Sequence, residues 1–464
     1  MRGCKIIVGI IVILSIFHLS QTASLSAEDI LPDYKLFNLN NGLQVVLTKD
    51  SRLPMVDFAL VVKTGSAADS AGTSGLAMLT AEMLRMGTAN YSRDELAGVL
   101  ETLGGTGEVE VRRDYTQISG NFLAQDLDEG LKLLAEVVLY PTLDEESLNS
   151  LRRRFVSNRI HERRLPEVLA EEMIFARYFG NNGYGLPVEG KINGLENITI
   201  DNIRTFYERN YRPNNAALIV AGDFDAGVIR KTIERLFGFW KPGDVLSSSM
   251  VNPVMPDSLE ILLVNKPDAP VTYFLIGCPT VAAESPELAA LALFNYSLGA
   301  GGEVSHLYRY LVRERGLVHD IRSGFEGTRW YNMFAITGST EHNLAAAAVE
   351  EVLKILSEDI MLRPPVAELE AAKHYHKGVL YQTLENTAGV ANVMSSLTGL
   401  ELGLDYYKRI SEVIKGIKPA FIRDCAARYL NPSRMTIIIV GPELTIKRDL
   451  KQLGTVRVLE IGHD

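Results

Sequence analysis

Apolar positions along the chain alternate between two periods. QVVLTK from Gln44 and VDFALVV from Val56 repeat every second residue or run continuously apolar, which predicts strands. Between Ser74 and Met86 the spacing changes: Leu76, Leu79, Met83 and Leu84 recur at helical intervals, with Gly72-Thr73-Ser74 as the expected helix start. Ser92 and Glu95 in SRDEL form a capping box, so a second helix starts there. EVEVRRDYTQISGNFLA returns to strand character, with Val109, Val111 and Tyr115 among polar neighbours. LDEGLKLLAEVVL, EESLNSLRRRFVSNRIHERR and LPEVLAEEMIFARYF are then three helices in succession.

The same order recurs. YERNYRPNNAALIVAGDF (207–224) resembles AARYLNPSRMTIIIVGPE (426–443), with Pro213 matching Pro432 and Gly222 matching Gly441 at an offset of 219. In each copy a helix stops near a proline, which cannot continue it, and a buried strand follows. QVVLTKDSRLP and ILLVNKPDAP correspond in the same way near the copy starts. KPGDVLSSSMVNPVMPDS between the copies has no period and is rich in Ser, Pro and Gly, as a linker is. The expected class is α+β (mixed α/β), built as two similar domains at 28–245 and 260–464 joined by 246–259.

The first 27 residues depart from this pattern. MRGCK is a short basic start, Ile6–Phe17 is a twelve-residue apolar run, and LSQTASLSA offers small residues for a signal peptidase. The run falls short of the roughly 20 apolar residues of a spanning helix. An exported mature protein is expected, periplasmic or secreted; an uncleaved anchor is the alternative. Cys4 leaves with the leader, and whether Cys278 pairs with Cys425 stays open.

Composition adds exclusions. Of 464 residues, 47% are hydrophobic and 22% charged, an ordinary globular balance that leaves room for a large core. The formal charge is −10, and −12 once Arg2 and Lys5 are removed, which disfavours nucleic acid as a partner. The one dense basic patch, Arg152–Arg154, lies close to Glu145 and Glu146 and is expected on a solvated helix face.

Candidate chemistry centres on GLAMLTAEMLRMGT, Gly75–Thr88. A plain core helix accounts for its apolar spacing. The wider stretch GTSGLAMLTAEMLRMGTANYS also resembles the motif region of the insulinase-like peptidases, the family of pitrilysin and the mitochondrial processing peptidase. Active members carry H-x-x-E-H within G-L-A-H-x-x-E-H-M-L-x-x-G-T, where two histidines bind zinc and the glutamate activates the bound water. On this resemblance the histidines fall on Met78 and Glu82, the catalytic glutamate on Ala81, and the third ligand, a glutamate, on Arg159. The flanks Gly75, Leu76, Ala77, Met83, Leu84, Gly87 and Thr88 match. A thioether, a methyl and a guanidinium are no set of zinc donors. The mature first half offers only His161 as a histidine and no cysteine.

The resemblance extends along nearly all of the mature chain. LGGTGEVEVRRDYT is similar to the family's edge strand, to which substrate adds as a further β-strand; Glu108-Val109 stand where the family has Asn-Ala. NNGYGLPVEG resembles the H-P-Y-G loop with its histidine-proline pair replaced. SLGAGGEVSHLYRYLVRERGLVHDI resembles the block whose Arg and Tyr hold the substrate carbonyl, and those positions here are His306 and His319. Gly301 and Gly302 lie in a glycine-rich turn that could flex around a peptide, or could simply break a helix. His374 and His376, two apart on a helix, face different ways.

What the resemblance implies is a half clam-shell of two homologous domains, each a mainly antiparallel sheet with helices packed on one side. It implies a non-catalytic subunit with no cofactor of its own. A zinc-bearing paralogous partner, or a second copy in a homodimer, would face it around short unstructured peptide substrates. A peptide-binding or structural scaffold without proteolysis is the rival reading. An active enzyme with an unconventional site would have to draw on Glu82, His161, Glu162, His306 and His319. No membrane span is expected in the mature chain.

Overall fold

The predicted alternations become strands in the computed structural model, which describes residues 30–245, 250–361 and 366–460. The leader expected over 1–27 lies outside the described residues. The first half runs β1 (Lys35–Asn38), β2 (Gln44–Lys49), β3 (Met55–Val62), α1 (Leu76–Met83), α2 (Arg93–Thr102), β4 (Thr106–Val111) and β5 (Thr116–Leu123). It continues with α3 (Leu127–Leu139), α4 (Glu145–Glu162), α5 (Pro166–Phe179), α6 (Ile192–Asn197), α7 (Ile200–Asn210), β6 (Ala216–Gly222) and α8 (Ala226–Phe237). The second half begins β7 (Glu260–Asn265), β8 (Thr272–Pro279), α9 (Pro286–Asn295), β9 (Asp320–Gly327) and β10 (Asn332–Thr340). Then follow α10 (Ala345–Met361), α11 (Val366–Thr383), α12 (Thr387–Gly399), α13 (Tyr406–Gly416), α14 (Pro419–Tyr429), β11 (Thr436–Gly441), α15 (Glu443–Leu450) and β12 (Val456–Glu460).

The strands form two six-stranded sheets, ordered β1-β2-β6-β3-β5-β4 and β12-β7-β11-β8-β10-β9. Five strands are wired alike in both: β2 and β7 run parallel to β6 and β11, and every later pairing is antiparallel. The sixth differs, since β1 joins antiparallel from the N-terminal side and β12 joins parallel from the C-terminal side. The proline corners lie where expected, as single 3-10 turns at Pro213–Asn215 and Pro432–Arg434 just before β6 and β11. The Ser92–Glu95 capping box is formed in full.

Alternation decides which residues face which helix. Val45, Leu47, Phe58, Leu60, Leu218 and Val220 lie on one face of the first sheet, packed with Leu131 and Leu134 of α3 and Ile229 and Ile233 of α8. The opposite face is covered as well. Val46, Val61, Ala217 and Ile219 meet Val390, Met394 and Leu397 of α12, a helix of the second half. Reciprocally, α5 of the first half packs on β8 and β11 of the second sheet. Leu169, Ile174, Phe175 and Tyr178 are buried there, each such side chain contributing about 1.5–3 kcal/mol. The Tyr178 hydroxyl donates to the Gly277 carbonyl at 2.9 Å, so this buried polar atom is satisfied. Helices on one side only, as the resemblance implied, is therefore true of each half's own helices, and an exchanged helix seals the other side.

The seam between the halves is polar where the hairpin turns meet. Arg113, 6% exposed, stacks over Phe175 at 3.7 Å and donates to the carbonyls of Tyr184 and Leu186 at 3.1 and 2.8 Å. Its Nε lies 3.4 Å from Glu326 of β9. Asp114 accepts from the Tyr184 hydroxyl and from the Arg329 N–H. Of the expected linker, 250–259 is neither helix nor strand, and the Val254 N–H is pinned to the Tyr178 carbonyl at 2.8 Å. Cys278 and Cys425 are both buried free thiols; Cys278 donates to the Tyr429 carbonyl at 3.3 Å. No helix among the described residues is long and apolar enough to cross a membrane.

Candidate functional site

Helix α1 begins differently from the expected Gly72-Thr73-Ser74 start. Its N-cap is Gly75 at φ 96°, and no side-chain cap comes from that residue. A Cβ there would lie 2.6 Å from Leu195 and 3.1 Å from Gly190, so the position needs glycine for room as well as for conformation. The cap is supplied from further upstream. Asp69 accepts from the N–H of Gly75 at 2.8 Å and of Ala77 at 2.9 Å, satisfying helix-start donors that have no partner within the helix. Burial pushes the Asp69 carboxyl up to about 7, while the N–H groups of Ala77, Gly75 and Leu76 pull it back down. Ser74 turns elsewhere, its Oγ accepting from the Lys191 N–H.

The helix so positioned is buried on two sides. Ala77, Ala81 and Leu84 join the first sheet's core. Leu79 and Met83 pack against Leu148 and Leu151 of α4, Leu195 of α6 and Ile203 of α7. Met78 and Glu82 remain partly exposed. Glu82 is not open for a ligand: Arg154 of α4 donates to its carboxylate at 2.9 Å. The Arg152–Arg154 patch is thus not merely solvated, because Arg152 also donates to Asn149 and to the Ile198 carbonyl.

Arg159, which the resemblance sets against the third ligand, is only 2% exposed. Its Nε donates to the Gly190 carbonyl at 3.0 Å, Nη1 to Glu162 at 2.8 Å and Nη2 to Glu172 of α5. Burial opposes its charge, but Glu172 and Glu162 hold the guanidinium protonated. Zinc does not fit these residues. The site presents a thioether at Met78, a methyl at Ala81, a carboxylate already neutralised at Glu82 and a fixed cation at Arg159. Among the described residues no three His, Cys, Asp or Glu side chains are disposed to hold a metal ion.

The other candidates are spread over the molecule. Glu108 and Val109 lie on β4, opposite Ser119 and Ile118 of β5, and β4 is an edge of its sheet as the resemblance implied. Gly302 adopts φ 63°, whereas Gly301 stays at φ −73°. His306 is held by Asp359 and Glu368, and His319 lies 3.3 Å from Glu341; these partners all belong to the second half. The five residues of the unconventional-site reading are not brought together: Glu82 pairs with Arg154, Glu162 with Arg159, and His161 is exposed on α4. Sequence reasoning missed Asp69, Arg154 and Glu172. Their partners lie 6 to 72 residues away, at spacings that follow no local period.

Two six-stranded sheets that share the wiring of five strands, with a helix on the first that resembles the metal-motif helix but lacks its ligands, form a shell of the inverted-zincin type. The sequence profile of the insulinase family, peptidase family M16, matches residues 44–191, and that of the peptidase M16 inactive domain matches residues 197–375. The chain belongs to the insulinase-like M16 family and lacks its H-x-x-E-H motif. The zinc protease PqqE of Helicobacter pylori is 22% identical over 453 residues, covering 92% of this chain and 97% of that protein. An uncharacterized zinc protease of Bacillus subtilis, YmxG, is 22% identical over 414 residues, 88% of this chain and 98% of that one. The crystal structure of a protease from Helicobacter pylori superposes with a TM-score of 0.84 at 21% identity, covering 89% of this chain and all of the other. A peptidase M16 inactive domain structure from Pseudomonas fluorescens gives a TM-score of 0.82 at 23% identity, over 88% of this chain and 98% of that one. At these identities the solved structures speak for the fold alone.

Proposed function

We propose that this chain is the non-catalytic subunit of an exported peptidase, working beside a zinc-bearing paralogue that hydrolyses short unstructured peptides. The leader over 1–27 would be removed on export, leaving two domains, 28–245 and 260–464, around the 246–259 linker. The observation that carries the reading is the state of the former metal site. Its carboxylate is closed by Arg154, and its third ligand position is a buried guanidinium whose three nitrogens all donate within the protein. A shell that keeps the fold and the edge strand β4 while its donors are replaced supports a role in holding peptide rather than cleaving it. Zinc would then reside in the partner.

Co-expression with a paralogue that retains H-x-x-E-H tests this. The reading expects the two chains to co-purify and the pair to cleave an unstructured peptide many-fold faster than the zinc-bearing chain alone. Stable association with no gain in rate would point to a scaffold, and no association would remove the subunit role.

A further inference from the structure

The second half carries a polar cluster around His306, one of the two positions where the resemblance places the substrate-holding pair. Ser305 closes a tight turn on Gly302, its N–H and Oγ both donating to the Gly302 carbonyl at 3.0 and 2.6 Å. His306 follows directly. Its Nδ1 lies 2.8 Å from Asp359 on α10 and its Nε2 3.6 Å from Glu368 on α11. A neutral imidazole carries one N–H and can serve only one of these carboxylates; the doubly protonated ring addresses both. The imidazolium is the charge that faces the Glu368 Oε2, which is buried without a hydrogen-bond partner although the side chain as a whole is 35% exposed.

The segment that His306 anchors is held in an uncommon backbone form. Residues Tyr308–Glu314 are π-helical, as are Tyr296–Ala300 on the other side of the glycine turn. π-helix is rare because its geometry is less favourable than α, so such turns persist where other contacts fix them. His306 ties this segment to both α10 and α11, beside a longer Arg315–Glu351 pair at 3.8 Å that reaches α10 alone.

We propose that His306, Asp359 and Glu368 form a proton-operated clamp, in which the imidazolium fixes the 302–315 segment on α10 and α11 and loss of its proton frees Glu368 and loosens the segment. The groups facing the ring are Asp359 from α10, Glu368 from α11 and Arg309 from the ring's own segment. The hydrogen bond to Asp359 raises the imidazole pKa most; burial opposes it, the charges of Asp359 and Glu368 add to it, and Arg309 detracts. The net shift is upward. A histidine whose pKa is raised by folding contributes stability that is complete below its unfolded value and is lost as pH rises through the folded one. The clamp is therefore closed in mild acid and opens toward alkaline pH. It uses only this chain's side chains and stands apart from the partner-subunit reading; any bearing on peptide contact through His306 does rest on that reading.

The test uses the full mature chain. The imidazole titration of His306 is followed by NMR, and amide exchange across 299–315 is measured at pH 5.5 and 8.5 after correction for intrinsic rates. The expected result is a His306 pKa above about 6.5 and protection of 299–315 that drops on the order of tenfold through that pKa. Glu368→Gln is expected to shrink the drop, and His306→Gln to abolish it while leaving the segment loose at both pH values. A His306 pKa at or below the ordinary value would overturn the clamp. So would a pH step in exchange as large in His306→Gln or Glu368→Gln as in the wild type.

Discussion

Arg154 on α4 reaches 2.9 Å to the Glu82 carboxylate on α1, across the two helices that would face each other over a metal in an active relative. The pair is half-exposed on the arginine side, so its own contribution to stability is small, about 0–1 kcal/mol. Its importance is chemical. Glu82, the one carboxylate among the four positions that the resemblance marks, is already neutralised, and the cation that neutralises it would repel a second.

Arg159 is the stronger structural commitment. Each of its three nitrogens donates, to Gly190, Glu162 and Glu172, with the side chain buried. Removing one partner of such a buried set leaves the rest uncompensated and typically costs about 3–5 kcal/mol. Arg159→Ala is expected to lower stability by that order in urea unfolding, and Arg159→Met with Glu172→Leu by clearly less. Equal losses would mean that pairing is not what holds this region.

The seam predicts an unusual pH dependence. Burial pushes the Glu171 carboxyl up to about 8, with the charge of Glu326 adding to the shift and Arg113 pulling it back. A carboxyl raised by folding contributes stability that is complete below its unfolded pKa, about 4.3, and is lost as pH rises through the folded value. Stability is expected to decline between pH 5 and 8, with Asp69 acting in the same direction up to about 7. Glu171→Gln should flatten that decline in urea midpoints taken at intervals across the range. An unchanged slope would show that Glu171 is ionised in the folded protein at neutral pH.

Exchange of α5 and α12 couples the two halves. Cutting the chain within 246–259 should give pieces that stay together, because each covers a face of the other's sheet. A single unfolding transition is expected in calorimetry of the intact chain. Separately expressed halves should expose those faces and aggregate. Two well-separated transitions, or a soluble monomeric 28–245 fragment, would contradict this.

The thiols should be inert. Burial pushes Cys278 up to about 12 and Cys425 to about 11, so neither supplies thiolate at neutral pH. An aromatic disulfide reagent should react with neither in the native mature protein and with both after denaturation. Rapid reaction of the native protein would show that the site around α14 opens.

Much of the fold was legible in the sequence because it rests on local period. The strands from Gln44 and Met55, the capping box at Ser92 and the proline corners at Pro213 and Pro432 all follow from neighbours within a few residues. The family, and the absence of its H-x-x-E-H motif, were legible through the residues that flank α1. What stayed hidden depends on side chains meeting across long separations. Asp69 caps α1 past an intervening turn, so the expected start at Gly72-Thr73-Ser74 gave way to a carboxylate with more donors in reach. Arg154 looked like part of a solvated patch because nothing in its own helix reveals Glu82 as a partner. The reciprocal helix exchange was equally invisible, since α5 and α12 are amphipathic whichever sheet they cover.

The central claim concerns donors: the site built from Met78, Ala81, Glu82 and Arg159 cannot hold zinc. Its most direct test is metal analysis of the purified mature chain after equilibration with zinc and removal of excess. The account predicts zinc well below one ion per chain, unchanged in Glu82→Ala. One tightly bound ion per chain, lost in Glu82→Ala, would contradict it.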